Sequence, residues 1–217
     1  MNLRSLTRLL LLTAPLLGCD ARGISVGTEE LCVADPNLLE AQATSTERVS
    51  SCARIGENQL LNGDFELPLV ACFGGSYCQF PAAEVEGWQT DSASQVIEIW
   101  QDGHMGVPSS EGDQFVELNA HSQDTLSQDI TTRPGQLLYW SLLHRGRNGR
   151  ESVEVRIGPP NATTSQAILR SAADAWYPYR GLYRTGEAEV VTRIELDSRT
   201  GTLEGNLIDA VVLAPVD

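Results

Sequence analysis

A set of aromatic, carboxylate, amide, imidazole and guanidinium side chains in this sequence could together bind a sugar. Its members are Trp88, Glu98, Trp100, Glu117, Asn119, His144, Arg145 and Arg147. Sugar sites combine an aromatic ring, which packs against the apolar face of a pyranose, with planar polar groups that bond its hydroxyls in pairs. These side chains are of the types that a carbohydrate-binding surface needs. The alternatives remain open that the tryptophans belong to the core and that the polar residues form a buried network.

A second set of acidic residues could hold a metal ion. Asp209 alternates with Leu207, Val211 and Leu213, so its carboxylate is expected to point the same way as these apolar side chains. A buried, unpaired carboxylate costs several kcal/mol. Either an arginine or a calcium ion, which takes oxygen ligands, could neutralise it.

Signatures of catalysis are weak. The sequence has no G-x-S-x-G or H-E-x-x-H motif and no phosphate-binding glycine loop. Glu98 and Glu117 could form a glycosidase pair, and His144 with its neighbouring arginines partly meets the needs of a polysaccharide lyase. We assign no catalytic residue and expect binding rather than cleavage.

Short runs of alternating apolar and polar residues, separated by Gly, Pro, Asn and Asp, predict the elements that carry these side chains. The predicted strands are 59–65, 95–100, 114–119, 124–131, 136–145, 151–157, 166–170, 188–196 and 206–213. Helical periodicity is absent over any long stretch. These features predict an all-β antiparallel sandwich, a jelly roll, with one core.

The N-terminus indicates export. Arg4 and Arg8 precede an apolar run that ends at Cys19, too short to span a bilayer and typical of a signal peptide. The small residue before the cysteine is similar to the lipobox of bacterial lipoproteins. We therefore predict a signal peptide over 1–18, a lipidated N-terminus and stalk over 19–57, and a binding domain over 58–217. The protein would be anchored to a membrane of the cell envelope by the lipid on Cys19, facing outward from the cytoplasm.

The charge of the chain limits its partners. The 217 residues carry a net charge of −14, and all fifteen basic residues are arginine. Removing residues 1–18 takes away two arginines and no acid, which leaves 13 arginines against 29 acids, or −16. So negative a field argues against nucleic acid and anionic lipid as partners, and suits a neutral polysaccharide.

Four cysteines remain after Cys19 and allow three disulfide pairings. We favour the two local pairs, Cys32–Cys52 and Cys72–Cys78. A zinc site is disfavoured because the sequence has no C-x-x-C pair and the exported protein would lie in an oxidising compartment.

Three motifs resemble one family of sandwiches. Asn62-Gly63-Asp64-Phe65-Glu66, then Gly87-Trp88, and finally Leu207-Ile208-Asp209-Ala210-Val211 resemble the galactose-binding-like jelly rolls, among them the family 4/9-type carbohydrate-binding modules. The match spans about residues 59–213. It implies a carbohydrate ligand and a structural calcium ion held by Glu66 and Asp209, with Asp64 as a weaker candidate. The insert that carries Cys72 and Cys78 departs from the shorter modules.

Two other functions remain possible from the sequence. The chain could be a structural or adhesion lipoprotein that binds a protein partner through the arginine-rich turn 144–147. It could also be a polysaccharide lyase or hydrolase.

Overall fold

The computed structural model describes residues 30–32, 52–72, 74–121, 123–199 and 205–217. Nearly all of its regular structure is β. The strands are β1 (Glu30–Cys32), β2 (Cys52–Arg54), β3 (Tyr77–Pro81), β4 (Gln89–Thr90), β5 (Val96–Gln101), β6 (Gln114–Glu117), β7 (Thr125–Thr131), β8 (Leu137–Arg145), β9 (Glu151–Gly158), β10 (Thr164–Ser171), β11 (Tyr177–Arg184), β12 (Val191–Ser198) and β13 (Leu207–Pro215). Within these residues, single-turn 3-10 helices cover Ala82–Glu84 and His104–Gly106.

The strands form two packed sheets and one small ribbon. One sheet has six strands in the order β11-β8-β13-β6-β5-β3, and the other has five in the order β10-β9-β12-β7-β4. Every pairing within them is antiparallel. This architecture confirms the predicted antiparallel β-sandwich.

Strand alternation explains why the two sheets pack together. In β9, Val153, Val155 and Ile157 are completely buried in the main core, while Arg156 between them is half-exposed. The inward side chains of β8 and β12 join the same core. Period-two patterning of this kind makes one face of each sheet apolar, and burying these two faces drives the sandwich to form.

The six-stranded sheet also carries apolar clusters on its outer face, the side turned away from the five-stranded sheet. One contains Trp100, Val107, Phe115 and Leu207, with Trp176 packed on it. The other, built around Tyr139 and Ala214, is covered by Ile55. Much of this outer face is therefore buried, which changes how side chains on it can function.

The predicted strand 59–65 is wrong. A turn occupies this segment, because Asn62 and Phe65 have φ angles of 51° and 53° that no strand accommodates. The segment still lies beside the last strand. Asn58 Nδ2 donates to the Val211 carbonyl at 2.9 Å, and Val211 N donates to the Gly63 carbonyl at 2.8 Å. The beginning and end of the sandwich are thus joined by hydrogen bonds.

The cysteine predictions have different outcomes. Cys72 and Cys78 form a disulfide, with 5.7 Å between their Cα atoms, so this pairing is confirmed. The antiparallel register of β1 and β2 places Cys32 opposite Cys52. Cα atoms of directly opposed residues lie about 4.5–5.5 Å apart, within the range of a disulfide. The second bridge stays a prediction, because the side chains of Cys32 and Cys52 lie outside the described part of the structure, as does Cys19.

Candidate functional site

Cross-strand pairing brings three of the candidate residues, together with Phe115, to one place. Glu98 of β5 lies opposite Glu117 of β6, and Trp100 lies opposite Phe115. Directly opposed residues in antiparallel strands share a face of the sheet. Since the neighbouring Ile97, Ile99 and Val116 point into the main core, these four side chains occupy the outer face.

Arg147 reaches this group from the turn that follows β8. Its Nη1 atom donates to both carboxylate oxygens of Glu117, at 2.9 and 3.1 Å. Its Cζ atom lies 4.9 Å from the centre of the Trp100 ring, which is within the range of a cation–π contact. Gly205 N also donates to Glu117 Oε1 at 3.0 Å. One guanidinium is therefore fixed between an aromatic ring and a carboxylate.

The two glutamates are both engaged by protein groups. Glu98 accepts hydrogen bonds from Gln79 Nε2 and from Trp100 Nε1, each at 2.7 Å. Burial raises the pKa of Glu117 to about 7, although the Gly205 N–H and Arg147 oppose that shift. Glu98 is 7% exposed and Glu117 is 1% exposed. Protein donors therefore occupy oxygens of both carboxylates.

Three aromatic or imidazole residues outside the predicted set of ligand residues complete the group. The His104 ring centre lies 4.3 Å from that of Trp100 and 5.0 Å from that of Tyr77, and His104 Nδ1 is 2.6 Å from Ser76 Oγ. Burial lowers the pKa of His104. Trp176 packs edge-on against Phe115 at 5.4 Å. The two glycines around His104 could have indicated this position from the sequence. Gly103 and Gly106 both adopt positive φ, and they turn the chain back over β5.

We call this group the outer-face cluster. It consists of Tyr77, Glu98, Trp100, His104, Phe115, Glu117, Arg147 and Trp176. Trp100 and Phe115 are completely buried, whereas Tyr77 is 44% exposed and the rings of His104 and Trp176 are half-exposed. A ligand could therefore touch the rim of the cluster, and the buried members would hold that rim in place.

Three predicted ligand residues lie elsewhere. Trp88 is in the main core, stacked on Phe65 at 5.0 Å, and its Nε1 donates to the Asn62 carbonyl at 2.9 Å. His144 is fully buried on the core side of β8, because it continues the alternation of Leu142, and burial lowers its pKa to about 4. Asn119 is also buried, 2% exposed. None of the three offers a surface to a ligand.

Arg145 is on the outer face but does not reach the cluster. Leu207 of β13 is paired with Arg145 on one side and with Glu117 on the other, so it lies between them. The Arg145 guanidinium instead donates from Nη2 to the Ala173 carbonyl at 2.7 Å. Arg145 thus fixes a loop rather than the site.

The side-chain direction predicted for Asp209 is wrong in part. A β-bulge shifts the register of β13 between Asp209 and Val212. As a result Val211 and Leu213 enter the main core, whereas Leu207 packs on the outer face and Asp209 faces a loop on that side. An extra residue in one strand reverses the alternation beyond it.

The predicted metal ligands Glu66 and Asp209 both bind the loop 109–114. Asp209 Oδ2 accepts hydrogen bonds from Ser110 N at 3.1 Å, Ser110 Oγ at 2.5 Å and Glu111 N at 3.1 Å. Glu66 Oε1 accepts from the backbone N–H groups of residues 113 and 114, at 2.8 and 2.9 Å. Burial raises the pKa of Asp209 to about 7 despite these donors.

Asp64 is exposed near the same loop, where it and Glu66 repel Glu111. The pKa of Glu111 is raised, mainly by burial and in addition by the negative charges of these two carboxylates. Within the residues that the structure describes, no three His, Cys, Asp or Glu side chains converge closely enough to hold a metal ion.

Comparisons with known proteins bear on the fold. No protein-family model and no curated protein matches the chain. In fold the chain is similar to carbohydrate-binding modules. A family 4 module shares 15% identity over 72% of this chain and 99% of its own, with a TM-score of 0.42. A family 61 module in complex with β-1,4-galactotriose shares 15% identity over 73% of this chain and 98% of its own, with a TM-score of 0.47.

A third similar structure is the CBM22-1 xylan-binding domain of Paenibacillus barcinonensis Xyn10C. It shares 10% identity over 64% of this chain and 94% of its own, with a TM-score of 0.45. At such identities the likeness concerns the fold alone. The predicted β-sandwich itself is confirmed by the two antiparallel sheets.

No helix in the described part of the chain has the length and apolarity needed to cross a membrane.

Proposed function

We propose that this protein binds a polysaccharide through the rim of the outer-face cluster and does not cleave it. The observation that carries the proposal is the continuous row of rings from Tyr77 through His104, Trp100 and Phe115 to Trp176, with a guanidinium fixed beside it. An exposed aromatic ring can pack against a pyranose, and a rigid planar donor beside it can bond two adjacent hydroxyls.

The electrostatics of the cluster favour a neutral sugar. Arg147 is neutralised by Glu117 at 2.9 Å, and the nearby Glu98 adds a further negative charge. An anionic ligand would meet no uncompensated cation there. Hydroxyl groups, which both donate and accept hydrogen bonds, are the complementary chemistry.

The state of the two glutamates supports binding without cleavage. Glycosidases need one carboxyl group that reaches the glycosidic oxygen and another that reaches the sugar ring or a water. Here Glu98 and Glu117 are buried, and protein donors occupy their oxygens. Their contacts serve to fix Arg147 and Trp100.

Calcium remains a separate proposal. Glu66 and Glu111, with Asp64 at the margin, are mutually repelling carboxylates beside Asp209, and a divalent cation would relieve that repulsion. Glu66 and Asp209 would hold the ion, whose charge would tie the first and last segments of the sandwich together. All four hydrogen bonds that Asp209 accepts come from protein donors, and these donors would compete with an ion for its oxygens.

Anchoring at Cys19 also remains a proposal. The Cys72–Cys78 disulfide supports an oxidising compartment, where such bridges persist. Expression of the complete chain in a bacterium, followed by detergent partition and intact-mass measurement, tests it. A lipidated mass that disappears in Cys19→Ala is expected, and an unlipidated wild-type protein would contradict the anchor.

The binding proposal is tested with the processed protein in pull-downs on neutral polysaccharides and on a glycan array. We expect Tyr77→Ala and His104→Ala each to weaken retention at least fivefold. His121→Ala removes an exposed imidazole in another loop and is the matched control, which should bind like the wild type. If the wild type retains no neutral glycan, or captures only a protein from cells, the proposal is wrong.

A further inference from the structure

A cleft of about 270 Å³ opens at one end of the sandwich, where β7 ends and β8 begins. Its apolar floor consists of Ile130, Leu138 and Pro215. Ile130 and Leu138 belong to the main core, one from each sheet, and Pro215 shares a face with Leu138 because the two residues are paired. The cleft therefore reaches into the space between the two sheets.

Polar side chains from Gln59, Thr131, Arg133 and Gln136 form the rim of this cleft. None of the residues that line it is acidic, although the chain has 29 acids against 15 arginines. Arg133 takes part in none of the ion pairs among the residues that the structure describes. The cleft thus presents an uncompensated positive charge in an otherwise acidic protein.

Contacts with the backbone decide which atoms of the two glutamines remain for a ligand. Gln136 Oε1 accepts a hydrogen bond from Arg133 N at 2.9 Å, so Gln136 Nε2 remains as a donor. Gln59 Nε2 donates to the Glu57 carbonyl at 3.0 Å, so Gln59 Oε1 remains as an acceptor. The rim therefore combines two donor groups, the Arg133 guanidinium and the Gln136 amide, with an acceptor oxygen of Gln59.

The turn that carries the two donor groups is held by a buried hydroxyl. Thr185, which is 3% exposed, donates from Oγ1 to the Arg133 carbonyl at 2.7 Å. The same Oγ1 atom accepts a hydrogen bond from Gln136 N at 2.8 Å. The backbone at both donor residues is therefore fixed before a ligand arrives, which lowers the entropy that binding would cost.

We infer that this cleft binds one uronic acid unit, whose carboxylate lies against Arg133 and Gln136. A carboxylate only accepts hydrogen bonds, and a guanidinium beside an amide N–H supplies the complementary donors. The hydroxyls of the sugar suit Gln59 Oε1 and the Thr131 hydroxyl, and the C–H groups of its ring suit the apolar floor. The volume lies just below the range of about 300–1,000 Å³ for pockets of drug-sized ligands, which favours one ring over a longer chain.

The cleft is separate from the outer-face cluster. Leu138 lies near the beginning of β8, whereas Arg147 follows its last residue, Arg145. At the rise of a β-strand, about 20 Å separates the two ends. The inference therefore goes beyond the proposed binding of a neutral glycan, because it concerns another ligand at another place.

The experiment measures binding of galacturonate, galactose and acetate to the processed protein by titration calorimetry. Arg133→Gln removes the guanidinium. Gln136→Glu keeps an acceptor for Arg133 N but replaces the amide donor with a second acceptor oxygen. The control is Arg180→Gln, which loses the same charge from an exposed position in β11 outside the cleft. Thermal melts verify that the three variants fold.

We expect the wild type to bind galacturonate at least tenfold more tightly than galactose or acetate, since only galacturonate has both the carboxylate and the ring. Arg133→Gln and Gln136→Glu should each weaken this binding at least fivefold, and Arg180→Gln less than twofold. Equal weakening by Arg133→Gln and Arg180→Gln would attribute the binding to overall charge and would overturn the inference. So would equal affinity for galactose or acetate, or no binding of galacturonate.

The source of the uronic acid unit is tested with the methyl glycoside of galacturonate, which has the linkage of a chain end. Binding as tight as that of galacturonate assigns the cleft to the ends of acidic polysaccharides. Binding of galacturonate but not of its glycoside assigns the cleft to the free sugar acid.

The two binding proposals fail independently. Tyr77→Ala should leave the binding of galacturonate unchanged, and Arg133→Gln should leave the retention of a neutral glycan unchanged.

Discussion

The guanidinium of Arg147 donates to both oxygens of Glu117 through a single nitrogen while its Cζ atom lies 4.9 Å from the centre of the Trp100 ring. Glu117 is 1% exposed and Arg147 19% exposed, so most of this pair is out of water. Contacts of this kind are sensitive to geometry, because a buried partner that loses its counterpart cannot turn to solvent.

Arg147→Lys should therefore destabilise the protein although it keeps the charge. Lysine lacks the planar group that rests on Trp100 and packs beside Met105. We expect the free energy of unfolding at pH 7 to fall by about 1–3 kcal/mol, measured by urea denaturation. Arg193→Lys, in the more exposed pair with Asp129, is the control and should cost less than about 1 kcal/mol. Equal losses of unfolding free energy in the two variants would show that the buried pair contributes no more to stability than the exposed pair.

Stability should depend on pH through Glu117. Burial raises its pKa to about 7 in the folded protein, above its ordinary value of 4.5. The folded state then holds the proton more tightly than the unfolded state, so this contribution is complete below pH 4.5 and is lost as pH rises through 7. The unfolding free energy of the wild type should fall relative to that of Glu117→Gln over this window. Parallel pH profiles for the two proteins would contradict the raised pKa.

Calcium should raise the melting temperature if the carboxylates beside the 109–114 loop hold it. At a hundredfold excess over its dissociation constant, an ion stabilises by about 2.7 kcal/mol, or about 5 °C or more for a domain of this size. The shift between calcium and chelator should vanish in Glu66→Gln and persist in Glu84→Gln, an exposed acid elsewhere. If neither calcium nor chelator changes the melting temperature of the wild type, the calcium proposal is wrong and Asp209 is held by hydrogen bonds alone.

Removing the Cys72–Cys78 bridge should weaken both stability and binding. The bridge closes a short loop, worth about 2 kcal/mol in the unfolded-chain model. That loop contains Tyr77 and Ser76, whose hydroxyl contacts His104, and it ends at Cys78 within β3. Cys72→Ser/Cys78→Ser should lower the urea midpoint and weaken glycan retention. Reductant should destabilise the wild type more than this variant, and the reverse order would count against the bridge.

Alternation made the sandwich predictable from the sequence. In β9 every second residue is branched and apolar, and the strand lies where that pattern puts it. The segment 59–65 failed because its apolar pattern was given more weight than the turn signal of Asn62-Gly63. Phe65 also adopts a positive φ, which its residue type does not reveal.

The candidate site was less predictable than the fold. The side-chain types of Trp88 and His144 led to the prediction that they contact a sugar. Only the folded structure shows that both point into the core. His104 was missed because it lies in a single-turn 3-10 helix between strands rather than on a strand. Glu98, Trp100, Glu117 and Arg147 were found because three of them alternate with core residues and the fourth follows a strand end.

The bulge in β13 separates two tasks that a regular strand would mix. Asp209, before it, fastens a loop, and Val211 and Leu213, after it, fill the interior. Substitutions at position 209 can consequently change the chemistry of that fastening without altering the volume of the core, while changes at 211 and 213 do the opposite. Because of one extra residue, the loop contact at position 209 and the core packing at positions 211 and 213 can change independently of each other.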